Sequence, residues 1–230
     1  DLNGDGFKDL FNTYSTQSNG GMPKVFLSEE GNKYAPWSKW STNNKYNPEL
    51  FNDSGIRAGD VADFDNDGDE DLIFQCYNRY CFGDPNEQYY AERHSNYDWD
   101  PVGVDSSNGF VLINKDGDLN MDNAIHFPKT PLGTNTKNDD MHVGDINGDG
   151  FIDVVSVYGK SDPYYVDRKI QILINKDGTS LVDETDSRMP TDLRDENSGH
   201  AEGLIMLVDY DGDGDLDIYD FQAGVRLSLI

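Results

Sequence analysis

The sequence predicts an all-β fold, and two repeated patterns lead to that prediction. Four acidic segments align without a gap, beginning at Asp1, Asp63, Asp145 and Asp209, and their starts lie 62, 82 and 64 residues apart. This period is too long for the coils of a small solenoid and suits a four-stranded blade of a β-propeller. We expect one propeller region over residues 1–230, with repeats at approximately 1–62, 63–144, 145–208 and, in part, 209–230.

Each acidic segment runs into a short apolar stretch. The stretches are DLF at Asp9, DLIF at Asp71, DVVSV at Asp153 and DIYDF at Asp217. Their β-branched and aromatic residues, flanked by Gly-rich turns, are typical of strands. Because long helical periodicity is hard to find, we expect an essentially all-β chain. Long loops connect its strands, for example Pro36–Gly55 and Thr185–Ala201.

A second pattern predicts β-hairpins in phase with the acidic segments. Each copy has an apolar run, a polar turn that ends in Gly, and a resumed strand-like segment. The copies are VFLSEEGNKY (Val25–Tyr34), VLINKDGDLN (Val111–Asn120) and ILINKDGTSL (Ile172–Leu181). Gly31, Gly117 and Gly178 supply the positive φ that tight turns require. The apolar half of the pattern recurs at Val225–Ile230.

An insertion distinguishes the second repeat. The first Asp of the acidic segment and the hairpin Gly lie 30, 54 and 33 residues apart in the three repeats, so about twenty extra residues fall within 75–105. Insertions on such a scaffold usually project from one face, where binding occurs. Tyr89, Tyr90 and Trp99 are therefore candidates for a ligand face, and the alternative is that such aromatic residues pack between blades.

The insertion also contains the two cysteines of the chain, Cys76 and Cys81. A short disulfide is favoured over two free thiols because the pair is close in sequence and the rest of the chain has an extracellular character. A zinc site is not favoured, since it would need further Cys or His ligands at suitable spacing.

The acidic segments have the ligand pattern of calcium loops. The pattern D-x-[D/N]-x-[D/N]-G-x-x-D places oxygen ligands at positions 1, 3, 5 and 9 and a backbone carbonyl at position 7, and Gly at position 6 permits the sharp bend. A flexible oxygen shell fits Ca2+ better than a transition metal or magnesium. We expect about four Ca2+ ions, held by Asp1, Asn3, Asp5, Phe7 and Asp9; by Asp63, Asp65, Asp67, Asp69 and Asp71; by Asp145, Asn147, Asp149, Phe151 and Asp153; and by Asp209, Asp211, Asp213, Asp215 and Asp217.

Two alternatives to calcium loops of this kind are weaker. An EF-hand needs a bidentate Glu at position 12 and helices on both sides, whereas position 12 is Asn12, Phe74, Ser156 or Asp220 and the flanks predict strands. Asp, Asn and Gly also form polar turns without metal, but four copies in phase with the hairpins favour calcium. The fourteen carboxylates at ligand positions would repel one another without cations, so we expect metal to be a condition of the fold.

The charge balance excludes some classes of partner. The chain has 44 Asp and Glu against 18 Lys and Arg, which gives a formal charge of -26. Such a surface repels nucleic-acid phosphates and anionic membranes, and no apolar run approaches the roughly 18 residues of a membrane-spanning helix. We expect neither a nucleic-acid partner nor membrane insertion.

The acidic loops, the entry VGD at Val143–Asp145 and the NKDG turns resemble the FG-GAP and VCBS repeats, which are the blade units of integrin α-subunit-like propellers. The likeness is closer to the VCBS type, because the FG-GAP name motifs are poorly kept. The resemblance implies a ring of roughly seven blades, of which this chain is an incomplete portion of about four. It also implies that calcium binds between the first two strands of a blade and that other loops build the ligand-binding surface.

No nucleophile elbow, HExxH motif or P-loop occurs in the sequence. We therefore expect a non-catalytic module, secreted or on the cell surface, for adhesion to or recognition of a glycan or protein. Two alternatives stay open: the propeller of a calcium-assisted carbohydrate-active enzyme such as a polysaccharide lyase, with His142 or His200 near its groove, and a structural component of a surface assembly. The motif at Asp1 and the strand-like run ending at Ile230 suggest a piece of a longer chain, and Asn52 begins a glycosylation sequon.

Overall fold

A computed structural model describes residues 1–12, 24–31, 33–36, 56–76, 109–115, 118–119, 124–128, 136–160, 166–189 and 204–220. Over these residues the chain is all-β, as predicted, with fifteen strands and one four-residue helix. No helix in the described ranges has the length and apolar character needed to cross a membrane. The strands are β1 (Leu10–Asn12), β2 (Lys24–Glu29), β3 (Lys33–Pro36), β4 (Ile56–Ala62), β5 (Asp71–Cys76), β6 (Gly109–Leu112), β7 (Asn114–Lys115), β8 (Asp118–Leu119), β9 (Ile125–His126), β10 (Thr136–Gly144), β11 (Asp153–Lys160), β12 (Val166–Lys176), β13 (Ser180–Asp183), β14 (Ile205–Val208) and β15 (Asp217–Asp220), and the helix α1 is Thr185–Arg188.

The strands form four sheets that follow one another along the chain, with every pairing antiparallel. Sheet 1 has the order β1-β2-β3, sheet 2 the order β4-β5-β6-β9, sheet 3 the order β10-β11-β12-β13, and sheet 4 the order β14-β15. Strands β7 and β8 form a separate two-stranded ladder. Sheets 2 and 3 therefore have the four strands that the repeat period predicts.

The central strands are apolar on both faces because alternate residues pack against different neighbouring sheets. In β5, Leu72 and Phe74 pack against sheet 1, while Ile73 packs against sheet 3. In β12, Leu173 packs against sheet 2, while Ile172 packs against sheet 4. Side chains of a strand point alternately to its two faces, so a sheet that is covered on both faces needs a continuous apolar run. The four sheets consequently stack face to face in chain order.

Three hydrophobic clusters fill the spaces between successive sheets. The buried residues of the first two clusters are Leu2, Val25, Leu72, Phe74, Phe110, Leu112 and Leu119 between sheets 1 and 2, and Phe64, Ile73, Val111, Ile113, Phe127, Met141, Val154, Leu173 and Leu181 between sheets 2 and 3. Val155, Val157, Ile172, Ile174, Ile205 and Ile218 form the third cluster, between sheets 3 and 4. Since removal of apolar area from water is the main favourable contribution to folding, these clusters set the spacing of the sheets.

The acidic loops, numbered 1 to 4 from their first residues Asp1, Asp63, Asp145 and Asp209, lie at one edge of this stack. Residues 63–70 connect β4 to β5, residues 145–152 connect β10 to β11, and residues 209–216 connect β14 to β15. The β2–β3 and β12–β13 hairpins turn at the same edge, where their residues hydrogen-bond to the loops. Gly31 and Gly178 have φ values of 73° and 70°, as the hairpin pattern predicts. Gly117 lies outside the described residues.

One sequence expectation is corrected. The segment Thr185–Ala201 was expected to be a loop, but its first four residues form α1. Asp183 Oδ1 accepts hydrogen bonds from Thr185 N at 3.0 Å and Thr185 Oγ1 at 2.6 Å, and Glu184 forms an ion pair with Arg188 one turn later. A single turn is too short to show helical periodicity, which explains why the pattern does not reveal it.

Several expectations fall on residues outside the described ranges. Strand β5 ends at Cys76 and β6 begins at Gly109, so the insertion lies in the connection between them. The Cys76–Cys81 disulfide, the ligand-face residues Tyr89, Tyr90 and Trp99, and the sequon at Asn52 stay predictions. The same holds for Val225–Ile230 and for most of Pro36–Gly55.

Phe74 offers a test of the packing between sheets 1 and 2. Its ring is fully buried and lies 4.9 Å from Phe110 and 5.1 Å from Phe11, measured between ring centroids. We expect Phe74→Ala to lower the free energy of unfolding in urea by about 3–5 kcal/mol, because it leaves a cavity in a close-packed core. The matched control is Val182→Thr on an exposed strand position, which should change it by less than about 0.5 kcal/mol. Equal effects of the two substitutions would contradict the stacking.

Candidate metal centres

The first aspartate of each acidic loop closes the turn of that loop. Asp63 accepts hydrogen bonds from the backbone N–H of Asp67 at 3.1 Å and of Gly68 at 3.0 Å. The same bond to the position-6 glycine recurs in the other loops, from Gly6 to Asp1 at 2.6 Å, from Gly150 to Asp145 at 2.9 Å and from Gly214 to Asp209 at 3.2 Å. These glycines have φ values from 87° to 101°, which L-residues rarely adopt. Position 6 therefore requires glycine, as the pattern predicts.

The fifth residue accepts a hydrogen bond from the N–H of the seventh residue, whose own carbonyl is the predicted ligand. In loop 2, Asp67 Oδ1 accepts a hydrogen bond from Asp69 N at 2.9 Å. The equivalent bonds are Phe7 N to Asp5 at 2.9 Å, Phe151 N to Asp149 at 2.9 Å and Asp215 N to Asp213 at 3.0 Å. All four loops consequently share one backbone course.

The ninth aspartate connects the loop to its sheet. Asp71 and Asp153 are fully buried. Asp71 Oδ2 accepts a hydrogen bond from Phe64 N at 2.7 Å, and its Oδ1 accepts one from Asn114 N at 2.7 Å. Matching bonds from residue 2 of the loop are Leu2 N to Asp9 at 2.7 Å, Ile146 N to Asp153 at 3.0 Å and Tyr210 N to Asp217 at 2.9 Å. Each ninth carboxylate is thus held in place without the use of all its lone pairs.

Loops 2 and 4 bring three carboxylates together. One oxygen from each of Asp63, Asp65 and Asp71 lies within 4.8 Å of the other two, and Asp209, Asp211 and Asp217 form the same arrangement. Acidic groups often cluster without an ion, so a further observation is needed. Asp65 Oδ1 is buried and has no hydrogen-bond partner, although a buried polar atom is normally paired. A cation bound by these three carboxylates suits their oxygen donors and would supply a partner for the unpaired Asp65 Oδ1.

Burial makes the ionised carboxylates of the loops costly in the absence of a cation. Desolvation raises the pKa of Asp71 from 3.8 to about 7, against the N–H groups of Asn114 and Phe64, which lower it. Desolvation also raises the pKa of Asp153, and desolvation together with the charge of Asp67 raises the pKa of Asp65. A bound divalent ion supplies the opposite charge that these carboxylates lack.

Loops 1 and 3 differ from loops 2 and 4 at the third position, where they have Asn. Asn147 Nδ2 donates to Asp149 Oδ2 at 2.9 Å, and Asn147 Oδ1 accepts from Asp149 N at 2.9 Å. Asn3 makes the same two bonds with Asp5, at 3.0 and 3.3 Å. The amide keeps the loop geometry with one fewer negative charge. The four candidate sites therefore form two electrostatic classes.

The sequence pattern missed two residues that hold the candidate sites together, Asn114 and Asn175. Both are buried, and each begins an NKDG turn that the sequence identifies only as a hairpin. Besides the backbone bond to Asp153, Asn175 accepts a hydrogen bond from Gly178 N at 2.9 Å through Oδ1. In the first hairpin Ser28 Oγ accepts the same turn bond, from Gly31 N at 2.9 Å. The sequence signal that could have identified these two residues is the recurrence of Asn at the same position of two in-phase turns.

His142, one of the two histidines considered for the catalytic alternative, lies on β10 of sheet 3. His142 Nε2 is 3.8 Å from Asp140 Oδ2, and the same oxygen accepts a hydrogen bond from Ile205 N at 2.9 Å. This carboxylate therefore joins neighbouring sheets. His200 lies outside the described residues.

Comparison with known families gives one match. The family model described as FG-GAP-like repeat matches residues 1–74 and 145–219, which together exceed half of the chain. The two matched stretches include all four acidic loops. No curated protein and no solved structure matches the chain.

Gly178 tests the contact between the third hairpin and loop 2. It has a φ of 70°, and a Cβ at this position would lie 2.5 Å from Asp65 Cα. Because Asn tolerates positive φ, Gly178→Asn tests the steric overlap with Asp65 separately from backbone strain. We expect it to lower the free energy of unfolding by about 1–3 kcal/mol. Gly148→Asn is the control, since Gly148 has a φ of 72° with open space around it. If both variants unfold at the same urea concentration, the hairpin does not pack on the loop.

Proposed function

The chain belongs to the FG-GAP-like repeat family, and on this premise we propose that it is a calcium-binding β-propeller segment with a non-catalytic recognition role outside the cell. The observation that carries the proposal is the convergence of Asp63, Asp65 and Asp71, where one oxygen of each lies within 4.8 Å of the other two and Asp65 Oδ1 has no hydrogen-bond partner. Calcium favours such an oxygen-only, acidic donor set. The same hydrogen-bond pattern in all four loops extends the proposal to four ions.

The ions stabilise the loops by neutralising carboxylates that the fold places side by side. Each ion is held by side-chain oxygens at positions 1, 3, 5 and 9 and by the carbonyl at position 7. Four ions change the formal charge from -26 to -18, since each adds two positive charges. Metal binding to a site that exists only in the folded chain adds to folding stability.

The stacking of the sheets supports the propeller, and the family resemblance implies a larger ring of roughly seven blades. Sheets 2 and 3 each have one apolar face toward the preceding sheet and one toward the following sheet. On the outer side of sheet 4, Leu204 and Met206 are 62% and 45% exposed, and they alternate with Ile205, which packs on sheet 3. Leu10 of sheet 1 corresponds to Leu72 of sheet 2 and is 48% exposed. Both outer faces are suited to packing against further blades.

A recognition role accords with a rigid stack that supports long connections. Binding residues are commonly found on loops that a rigid scaffold positions. We propose that the connection between β5 and β6 supplies the binding face, with Tyr89, Tyr90 and Trp99 contacting a glycan or protein. Calcium loops of this kind suit the extracellular space, where sites of modest affinity are filled.

Calcium titration tests the metal assignment. We expect the chelated full chain to bind about four Ca2+ ions by calorimetry, because four loops share one donor pattern, and we expect its melting temperature to rise by several degrees, as specific binding to the folded state requires. Magnesium at equal concentration is the control and should have a smaller effect. Failure to bind at millimolar calcium would leave the loops as polar turns and end the proposal.

The third position of the loops tests the two electrostatic classes. We expect Asp65→Asn to weaken the loop 2 site by about tenfold, which corresponds to ~1.4 kcal/mol, and Asn147→Asp to strengthen the loop 3 site, because ligand charge tunes calcium affinity. Asp177→Asn removes the same charge from an exposed hairpin turn and should leave both affinities within about twofold. An equal effect of Asp177→Asn would mean that net charge, and not the ligand position, determines affinity.

A further inference from the structure

We infer that Asn114 and Asn175 are positioning residues that couple neighbouring calcium loops, so that an ion in one loop raises the calcium affinity of the next. This inference rests on the proposed calcium binding and extends it. Its basis is a chain of hydrogen bonds, buried except at the part-buried bond to Asp9, that joins the ninth-position ligands of loops 1, 2 and 3.

The first part of this chain joins loop 3 to loop 2. Asn175 N donates to Asp153 Oδ1 at 2.8 Å, and Asn175 Nδ2 donates to the carbonyl oxygen of Phe64 at 2.8 Å. Phe64 is the second residue of loop 2, and its own N–H donates to Asp71 Oδ2 at 2.7 Å. Two residues, Asn175 and Phe64, therefore separate the ninth-position ligands of loops 2 and 3.

The second part repeats the arrangement between loop 2 and loop 1. Asn114 N donates to Asp71 Oδ1 at 2.7 Å, and Asn114 Nδ2 donates to the carbonyl oxygen of Leu2 at 3.0 Å. Leu2 N donates to Asp9 Oδ2 at 2.7 Å. Asp71 is common to both parts, so loop 2 is linked to the loops on both sides.

Each asparagine is fixed on its own loop while it reaches the preceding one. Asn175 Nδ2 also donates to the carbonyl oxygen of Ile152, the eighth residue of loop 3, at 3.1 Å. Asn114 Nδ2 makes the equivalent bond to Glu70 in loop 2 at 3.0 Å. The amide hydrogens are thus shared between two successive loops. A displacement of either loop changes the bond to the other.

Burial makes this chain of bonds an effective coupling element. Phe64, Asp71, Asp153 and Asn175 are fully buried, and Asn114 is 1% exposed. Water does not replace a broken bond there, so the bonded geometry is strongly preferred. An ion that orders Asp71 also orders the Phe64 peptide, the Asn175 amide and Asp153. The next ion then binds to a ligand that is already ordered, and its conformational-entropy cost is smaller.

The experiment measures coupling between loops 2 and 3 in the full chain. Calcium is titrated into the chelated protein, and the amide signals of Gly68 and Gly150 in 1H–15N NMR spectra report the two loops separately. Asp65→Ala disables loop 2 because it removes one of the three carboxylates that converge there. We expect this substitution to weaken calcium binding at loop 3 by about fivefold or more, the usual range of site coupling.

The test of Asn175 uses a substitution that the chain itself contains. Asn175→Ser introduces the residue found at the equivalent position of the first hairpin, Ser28, whose hydroxyl accepts the turn bond. A serine hydroxyl has one hydrogen and cannot replace both bonds that Asn175 Nδ2 donates, to Phe64 and to Ile152. In this background Asp65→Ala should change loop 3 affinity by less than about twofold. If the coupling came only from the lost charge of Asp65, Asp65→Ala would still weaken calcium binding at loop 3 in the Asn175→Ser background. The same would hold if the coupling passed through the exposed bond from Asn66 Nδ2 to the carbonyl oxygen of Gly150. The control is Thr179→Ala, whose hydroxyl bonds only within the turn, and it should retain the full coupling.

The outcomes separate this inference from the proposed function. Calcium binding to loops 2 and 3 with no coupling, or with coupling that Asn175→Ser leaves unchanged, would overturn the inference alone. Absence of calcium binding in the unaltered chain would overturn the proposed function and the inference together. If Asn175→Ser does not fold, Asn114→Ser tests the link between loops 1 and 2 in the same way, with the Gly6 amide as the reporter.

Discussion

The carboxylate at the ninth position of each acidic loop is the group on which the rest of the structure depends. In loops 2 and 3 it belongs to Asp71 and Asp153, and each accepts one N–H from its own loop and one from the adjacent hairpin. Loop, strand and hairpin therefore have one relative arrangement. Because desolvation penalises the ionised form, the burial of these two carboxylates creates a need for positive charge at this edge of the sheets.

Apolar packing stabilises the contacts between the sheets, whereas electrostatics dominates at the edge where the acidic loops lie. The clusters between sheets depend on apolar area removed from water and require no ion. The loop edge concentrates carboxylates, and Asp65 Oδ1 stays buried without a hydrogen-bond partner. In the proposed function, calcium neutralises these carboxylates and supplies a partner for the unpaired oxygen.

Local chemistry explains which features the sequence predicted. Gly68 occupies a position where φ is 99°, a requirement that involves only the neighbouring peptides and is therefore visible in the loop pattern. The runs in β5 and β12 predict strands because burial on both faces leaves a continuous apolar stretch. Helix α1 escaped prediction because four residues show no period. The role of Asn175 escaped it because its partner Phe64 lies 111 residues away.

The sequence by itself determined the all-β class, the family, the four acidic loops and their bend at position 6, because these features depend on residue type and spacing within ten residues or on a repeat. Only the tertiary structure decided how the repeats contact one another. Stacking brings Asn114 to Leu2 and Asn175 to Phe64, and it buries Asp71 and thereby raises its pKa. Desolvation and long-range hydrogen bonds arise from the distances between segments, and no local pattern of residues specifies those distances.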